Sequence, residues 1–128
     1  MAQARASIGL TNYATAIITG RHQLIADEAP ALGGQDEGPN PYALLCAALC
    51  ACTAITLRMY AQRKGWSLHA VHVNVRFHRE GKAESLERVL KFAGELDAGQ
   101  RARLADIAER TPVTLTLKQG VPITTTVT

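Results

Sequence analysis

Apolar and polar positions change period several times along the chain, and each change marks an element. Residues 13–21 (YATAIITGR) and 22–28 (HQLIADE) alternate weakly and are rich in β-branched or aromatic side chains. With Gly20 and Arg21 between them, they predict a hairpin. Residues 30–41 hold three of the five prolines and three of the ten glycines, which predicts a loop. Asn40 then caps a helix, and Pro41 takes its first position, where a missing N–H costs nothing. That helix runs to about Lys64 and is closed by Gly65, with Arg63 and Lys64 favourable in its last turn. Residues 68–79 give the cleanest alternation: Val71, Val73, Val75 and Phe77 face one way, His72, Asn74, Arg76 and His78 the other. This predicts a strand with one core face and one solvated face. A polar connection over 80–87 leads to a weaker strand over 88–96, with Leu90, Phe92 and Leu96 on one side. Asp97 and Gln100 form a capping-box pattern for a helix to about Arg110, whose buried stripe is Leu104, Ile107 and Ala108. Thr111-Pro112 repeats the cap-plus-proline signal for a short helix ended by Gly120. Residues 121–128 (VPITTTVT) predict a closing strand.

The predicted order is ββ–α–ββ–αα–β. Grouped rather than alternating elements indicate an α+β class. The length of 128 residues fits a single domain over 1–128, with 1–12 expected as a loosely ordered tail. Within the long helix, residues 43–57 are almost continuously apolar. Fifteen residues fall short of the roughly 18–20 that a bilayer span needs, so a buried helix is expected. Residues 1–10 lack the apolar core of a signal peptide. A soluble cytoplasmic protein is the expectation, with no membrane partner.

Composition adds two exclusions. Fourteen Lys and Arg against eleven Asp and Glu leave a net charge of +3, spread evenly and too weak to indicate nucleic acid. Three cysteines, Cys46, Cys50 and Cys52, lie within seven residues and nowhere else. An odd count without a second cluster excludes a secreted disulfide framework and indicates reduced thiols.

On a helix, Cys46 and Cys50 share a face and read as small buried hydrophobes. Cys52 lies away from both, on a stripe with Leu45, Ala48, Leu49, Ile55, Thr56 and Met59. One helix carrying C-x3-C-x-C cannot close a tetrahedral metal site without distant ligands, so no metal is expected. His72 and His78 fall on the solvated strand face. No Ser/His/Asp order, H-E-x-x-H spacing or glycine-rich phosphate loop is present. From the residues alone, the chain is an α+β domain with one interesting thiol.

The run Gly38-Pro39-Asn40-Pro41-Tyr42-Ala43-Leu44-Leu45, then Ala47-Ala48-Leu49-Cys50-Ala51-Cys52-Thr53, resembles the OsmC/Ohr family of osmotically inducible and organic hydroperoxide resistance proteins. Asp27-Glu28, Gly33-Gly34 and the late Pro112-Val113 agree with it, over about residues 13–127. The resemblance implies antiparallel sheets packed on a long central helix, in an intertwined homodimer with active sites at the subunit interface. It implies no cofactor. It gives Cys52 the place of the peroxidatic thiol, whose thiolate attacks the O–O bond of an organic hydroperoxide and becomes a sulfenic acid. Thr111 stands where peroxidase members carry their second cysteine, and Tyr42 stands where they carry a Glu. Arg21 is the nearest match to their thiolate-binding arginine. Tyr42, Leu45, Leu49, Thr56 and Met59 are the implied substrate lining.

Two functions follow. One is reduction of organic or lipid hydroperoxides through Cys52, with an external thiol reductant as partner. The other is a catalytically degenerate dimer that binds a small hydrophobic ligand or senses oxidation without turnover. The losses at Thr111 and Tyr42 favour the second reading. The retained cysteine favours the first.

Overall fold

The computed structural model describes residues 2–128. They form two compact units, one ending at Leu45 and the other running Cys46–Thr128.

In the N-terminal unit, β1 (Arg5–Ser7), β2 (Thr15–Thr19) and β3 (His22–Ala26) form an antiparallel sheet in that order. The β2–β3 hairpin sits where the alternation predicts it, with Ile17 opposite Leu24 and a turn at Gly20. Strand β1 falls in the stretch expected as a tail. Its three residues show no alternation, so only the pairing of Ala6 with Ile17 on β2 reveals it.

The loop after β3 is organised by Asp27, whose side chain is buried. Its Oδ1 accepts the amides of Tyr13 and Glu28, and its Oδ2 those of Gln35 and Glu37, at 2.7–3.3 Å. Burial alone would raise the carboxyl pKa. The amides of Glu28, Glu37, Tyr13 and Gln35 outweigh it and hold the group below its ordinary value. The loop closes so tightly that a Cβ on Gly34 would strike the Glu28 carbonyl, and one on Gly38 the Ile25 carbonyl.

Helix α1 spans Pro41–Lys64. The Asn40 side chain accepts the Ala43 amide at 2.7 Å, as expected of the cap, and Gly65 leaves the helix at φ 71°. Its buried residues are Leu49, Thr53, Leu57 and Ala61, a single line at spacing four. An apolar helix that buries one line leaves apolar side chains outside: Ile55 and Met59 are more than half exposed.

Strands β4 (Ser67–Glu80) and β5 (Ala83–Glu95) form one antiparallel hairpin. From Val71 the β4 alternation holds, with the valines and Phe77 half-buried and His72 and His78 exposed, while the buried Leu68 is out of phase across an irregularity between Leu68 and Ala70. Residues 80–87 are not a connection: the turn is only Gly81-Lys82, and β5 begins at Ala83. Glu84, Ser85 and Glu87 have poor strand propensity, but pairing with Arg79, His78 and Arg76 on β4 overrides it. Arg79 also bonds the Glu84 carboxylate through Nε at 3.0 Å.

Helix α2 (Ala98–Ala108) starts with a complete Asp97/Gln100 capping box. Helix α3 (Pro112–Gln119) starts at Thr111, whose side chain accepts the Thr114 amide. The core of this unit joins Leu57 and Ala61 of α1, Leu68 of β4, and Leu104 and Ala108 of α2, with Val71, Leu90 and Phe92 packed against them. Residues 121–128 do not form the expected strand. β-Branched content favours a strand only where a partner offers a ladder, and here Val121, Ile123 and Val127 lie exposed.

Candidate functional site

Cys52 lies in the middle of α1, one residue before the buried Thr53. Its partners come from elsewhere in the same unit. The Val113 amide, in the first turn of α3, donates to Cys52 Sγ at 3.4 Å. The Thr56 hydroxyl lies 3.9 Å from the sulfur, one turn along α1. The sequence places Cys52 far from the N-terminus of its own helix, where that dipole gives little help. The structure brings the N-terminus of a different helix to it. The first amides of a helix have no partner within the helix, and the positive end of its dipole favours negative charge. Val113 offers such an amide to the sulfur.

Behind this contact lies a hydroxyl cluster. Thr111 and Thr114 are buried, with their Oγ1 atoms 2.6 Å apart. Arg88 of β5 donates through Nη1 to Thr53 Oγ1 and Thr114 Oγ1, each at 2.9 Å. Its Nη2 donates to the Ala108 carbonyl and the Glu109 carboxylate, again at 2.9 Å. One side chain thereby ties α1 to the α2–α3 corner. Every buried side-chain nitrogen or oxygen among the described residues has a partner.

The other thiols stand apart from this cluster. Cys50 directs its Sγ to the Val73 carbonyl of β4 at 3.6 Å, and all three cysteines are unpaired. Among the described residues no group of three His, Cys, Asp or Glu could hold a metal. The residues named as substrate lining divide: Leu49 is buried in the core, Thr56 borders Cys52, and Met59 is exposed. Tyr42, exposed, and Leu45, half-buried, belong to the first turns of α1 in the N-terminal unit. Arg21 is exposed in the β2–β3 turn of that unit.

Sequence reasoning missed Arg88, Thr53 and Thr114. A signal for Arg88 was present. It falls in phase with Leu86, Leu90 and Phe92 on the half-buried face of β5, where a charge is out of place unless partnered. The threonines carried no such signal, because Thr suits strands, caps and surfaces alike.

The family model for OsmC-like proteins matches residues 34–126. The chain belongs to the OsmC-like family. The match takes in the loop after Gly33, the whole of α1 with Cys52, and the Thr111-Pro112-Val113 corner. No curated protein sequence matches the chain. Solved structures share the fold at low identity. A Psychrobacter arcticus protein, described as an osmotic stress induced and detoxification response protein, superposes with a TM-score of 0.78 at 17% identity, covering 91% of this chain and 88% of that one. An OsmC-like protein of Mycoplasma pneumoniae gives 0.75 at 20% identity, covering 92% and 87%. An organic hydroperoxide resistance protein OsmC of Legionella pneumophila gives 0.65 at 24% identity, covering 92% and 89%. The α+β expectation and the family resemblance therefore hold. The fifteen-residue apolar stretch understated the helix: α1 has 24 residues and is long and apolar enough for a bilayer span. Family membership makes it the core helix of an OsmC-like fold.

Proposed function

We propose that this OsmC-like protein reduces organic or lipid hydroperoxides through Cys52, using an external thiol as reductant. The observation that carries the reading is the Val113 amide 3.4 Å from Cys52 Sγ, a built donor at one thiol of three. The thiolate is the nucleophile. It attacks one peroxide oxygen, the O–O bond breaks, and the second oxygen leaves as an alcohol after taking up a proton. Cys52 becomes a sulfenic acid. Thr111 has no thiol to condense with it, so a reductant thiol attacks the sulfenic sulfur and water leaves. A second thiol then splits the mixed disulfide. A cytoplasmic location, where thiols stay reduced, fits the three unpaired cysteines.

Reduced protein mixed with cumene hydroperoxide in a stopped flow should consume one equivalent far faster than a free thiol does. Cys52→Ser should lose that phase, while Cys46→Ser and Cys50→Ser keep it. Retention of the phase in Cys52→Ser refutes the assignment. A wild-type rate no faster than a free thiol would favour the second reading, a dimer that binds a hydrophobic ligand without turnover. The observation on its side is that positions 111 and 42 carry Thr and Tyr, so neither a second thiol nor a carboxylate is supplied there.

The reading includes a homodimer. Within the chain α1 buries only Leu49, Thr53, Leu57 and Ala61, and Ile55 and Met59 stand on its open side. A helix that is apolar all round is an interior helix, and a second copy supplies the missing cover. Light scattering should give the mass of two 13.8 kDa chains at micromolar concentration. A folded monomer under those conditions contradicts it.

A further inference from the structure

We propose that Arg88 is a positioning residue for Cys52, holding the first turn of α3 so that the Val113 amide stays on the sulfur. The inference rests on the reading of Cys52 as the reactive thiol and names a residue outside the set that family resemblance supplies.

Arg88 alternates with Leu86, Leu90 and Phe92 on the half-buried face of β5, and its side chain is only 12% exposed. Burying a guanidinium costs more than burying a leucine there unless its donors are satisfied. Its one carboxylate partner, Glu109, is 60% exposed, so that pair is partly screened by water. The remaining acceptors are neutral oxygens: Thr53 Oγ1, Thr114 Oγ1 and the Ala108 carbonyl. Core packing alone does not call for this arrangement, since a leucine would fill the same face. What the guanidinium adds is a planar fork reaching three elements at once, which no other side chain offers.

Those three elements frame the thiol. Thr53 follows Cys52 on α1. Ala108 ends α2. Thr114 sits in the first turn of α3 and is linked to the N-cap Thr111 by a 2.6 Å contact between hydroxyls. Val113 lies between Thr111 and Thr114. Its amide reaches Cys52 only while that turn stays docked on α1. Helix α3 has eight residues, too few to hold its position by helix propensity. The chain Arg88–Thr114–Thr111 therefore fixes the donor, helped by the Thr114 hydroxyl, which donates to the Ala108 carbonyl at 3.3 Å, and Arg88–Thr53 fixes the segment that carries the sulfur. Thr111 has a role of its own here: its hydroxyl completes the clamp at the position where peroxidase relatives carry a thiol.

The test uses full-length protein with Cys46→Ser and Cys50→Ser, so that Cys52 is the one thiol. Arg88→Gln removes the fork. Thr114→Val keeps the volume and the bonds of Arg88 to Thr53 and Ala108, and removes together the contacts of the Thr114 hydroxyl with Arg88, Thr111 and the Ala108 carbonyl. Each change should slow alkylation of Cys52 by iodoacetamide at pH 7 about tenfold, the scale expected when a reacting thiolate loses one amide donor. Each should also speed hydrogen exchange at the Val113 amide while the amides of Leu57 and Leu90 stay protected. A merely structural role would move all three amides together. If Arg88→Gln does not fold, Arg88→Lys, which keeps the charge and loses the fork, decides in its place. Folded variants with wild-type alkylation, or exchange rising uniformly, overturn the proposal. Reaction with cumene hydroperoxide is measured alongside. If the parent protein is inert to hydroperoxide but the variants still slow alkylation, the peroxidase reading fails and the positioning role stands.

Discussion

Gly94→Val should lower stability by at least about 3 kcal/mol, a large part of the 5–15 kcal/mol that holds a typical domain. Two independent penalties meet at this position. Gly94 has φ 132°, a conformation that side chains with a Cβ rarely adopt. It also pairs with Leu68 beside the register shift between Leu68 and Ala70. There a Cβ would collide with the Ser67 carbonyl and crowd the His69 amide. Neither obstacle is a flexible side chain, so relief requires the bulge itself to move. Leu68 is fully buried in the core cluster, and the damage would spread to its contacts with α1 and α2. Gly81 supplies the control. It has φ 59° with open space around the Cβ position. Gly81→Ala should therefore cost only the conformational term, about 1 kcal/mol, and Gly94→Ala clearly more. Urea unfolding at fixed protein concentration measures both, which matters because dimerisation would make stability concentration-dependent. Equal losses at the two glycines would show that the close approach at Gly94 contributes nothing.

The elements that the sequence announces are those whose signals are local. Asn40-Pro41, Asp97 with Gln100, and Thr111-Pro112 each place a cap next to the amide that it serves, and the α-helices α1, α2 and α3 start there. The β4 alternation is equally plain, because one face meets a core and the other does not. What escapes is whatever a distant partner decides. The first residues of β5 are polar on both faces apart from Ala83 and Leu86, so only the register with β4 makes them a strand. Residues 121–128 show the converse: strand-like composition, but no ladder within the chain.

The same division applies to the site. Cys52 is legible from its motif. The amide that serves it lies 61 residues away, and nothing near Cys52 in sequence points to Val113. Arg88 was legible in principle, as a charge in phase with leucines. Its meaning depends on three threonines scattered over α1 and the α2–α3 corner.

Thr111→Cys should turn the site from dependence on an external thiol to an internal disulfide. In a background carrying Cys46→Ser and Cys50→Ser, one equivalent of cumene hydroperoxide should yield a product lighter than the reduced protein by two hydrogens. The unsubstituted Thr111 protein should stop at the sulfenic acid, heavier by one oxygen. Thr111 precedes Pro112 and Val113, and the Val113 amide is already 3.4 Å from Cys52 Sγ. A side chain two residues upstream therefore starts near the sulfur that it must reach. A disulfide needs a Cα separation of roughly 4.4–6.8 Å. A thiol at the N-cap also has the free amides of the first turn beside it, which favour its ionised form. It would attack the sulfenic sulfur, the S–O bond would break, and water would leave. Losing the threonine cap costs on the order of 1 kcal/mol. The lost hydroxyl contact with Thr114 adds to that, because Thr114 is buried and Arg88 still donates to it. The variant should nonetheless fold, since Leu57, Leu68 and Leu104 still form the core. Adding Cys52→Ser must abolish the two-hydrogen loss. If Thr111→Cys stays folded yet halts at the sulfenic acid, position 111 does not reach Cys52, and the correspondence drawn from the two-cysteine relatives is wrong.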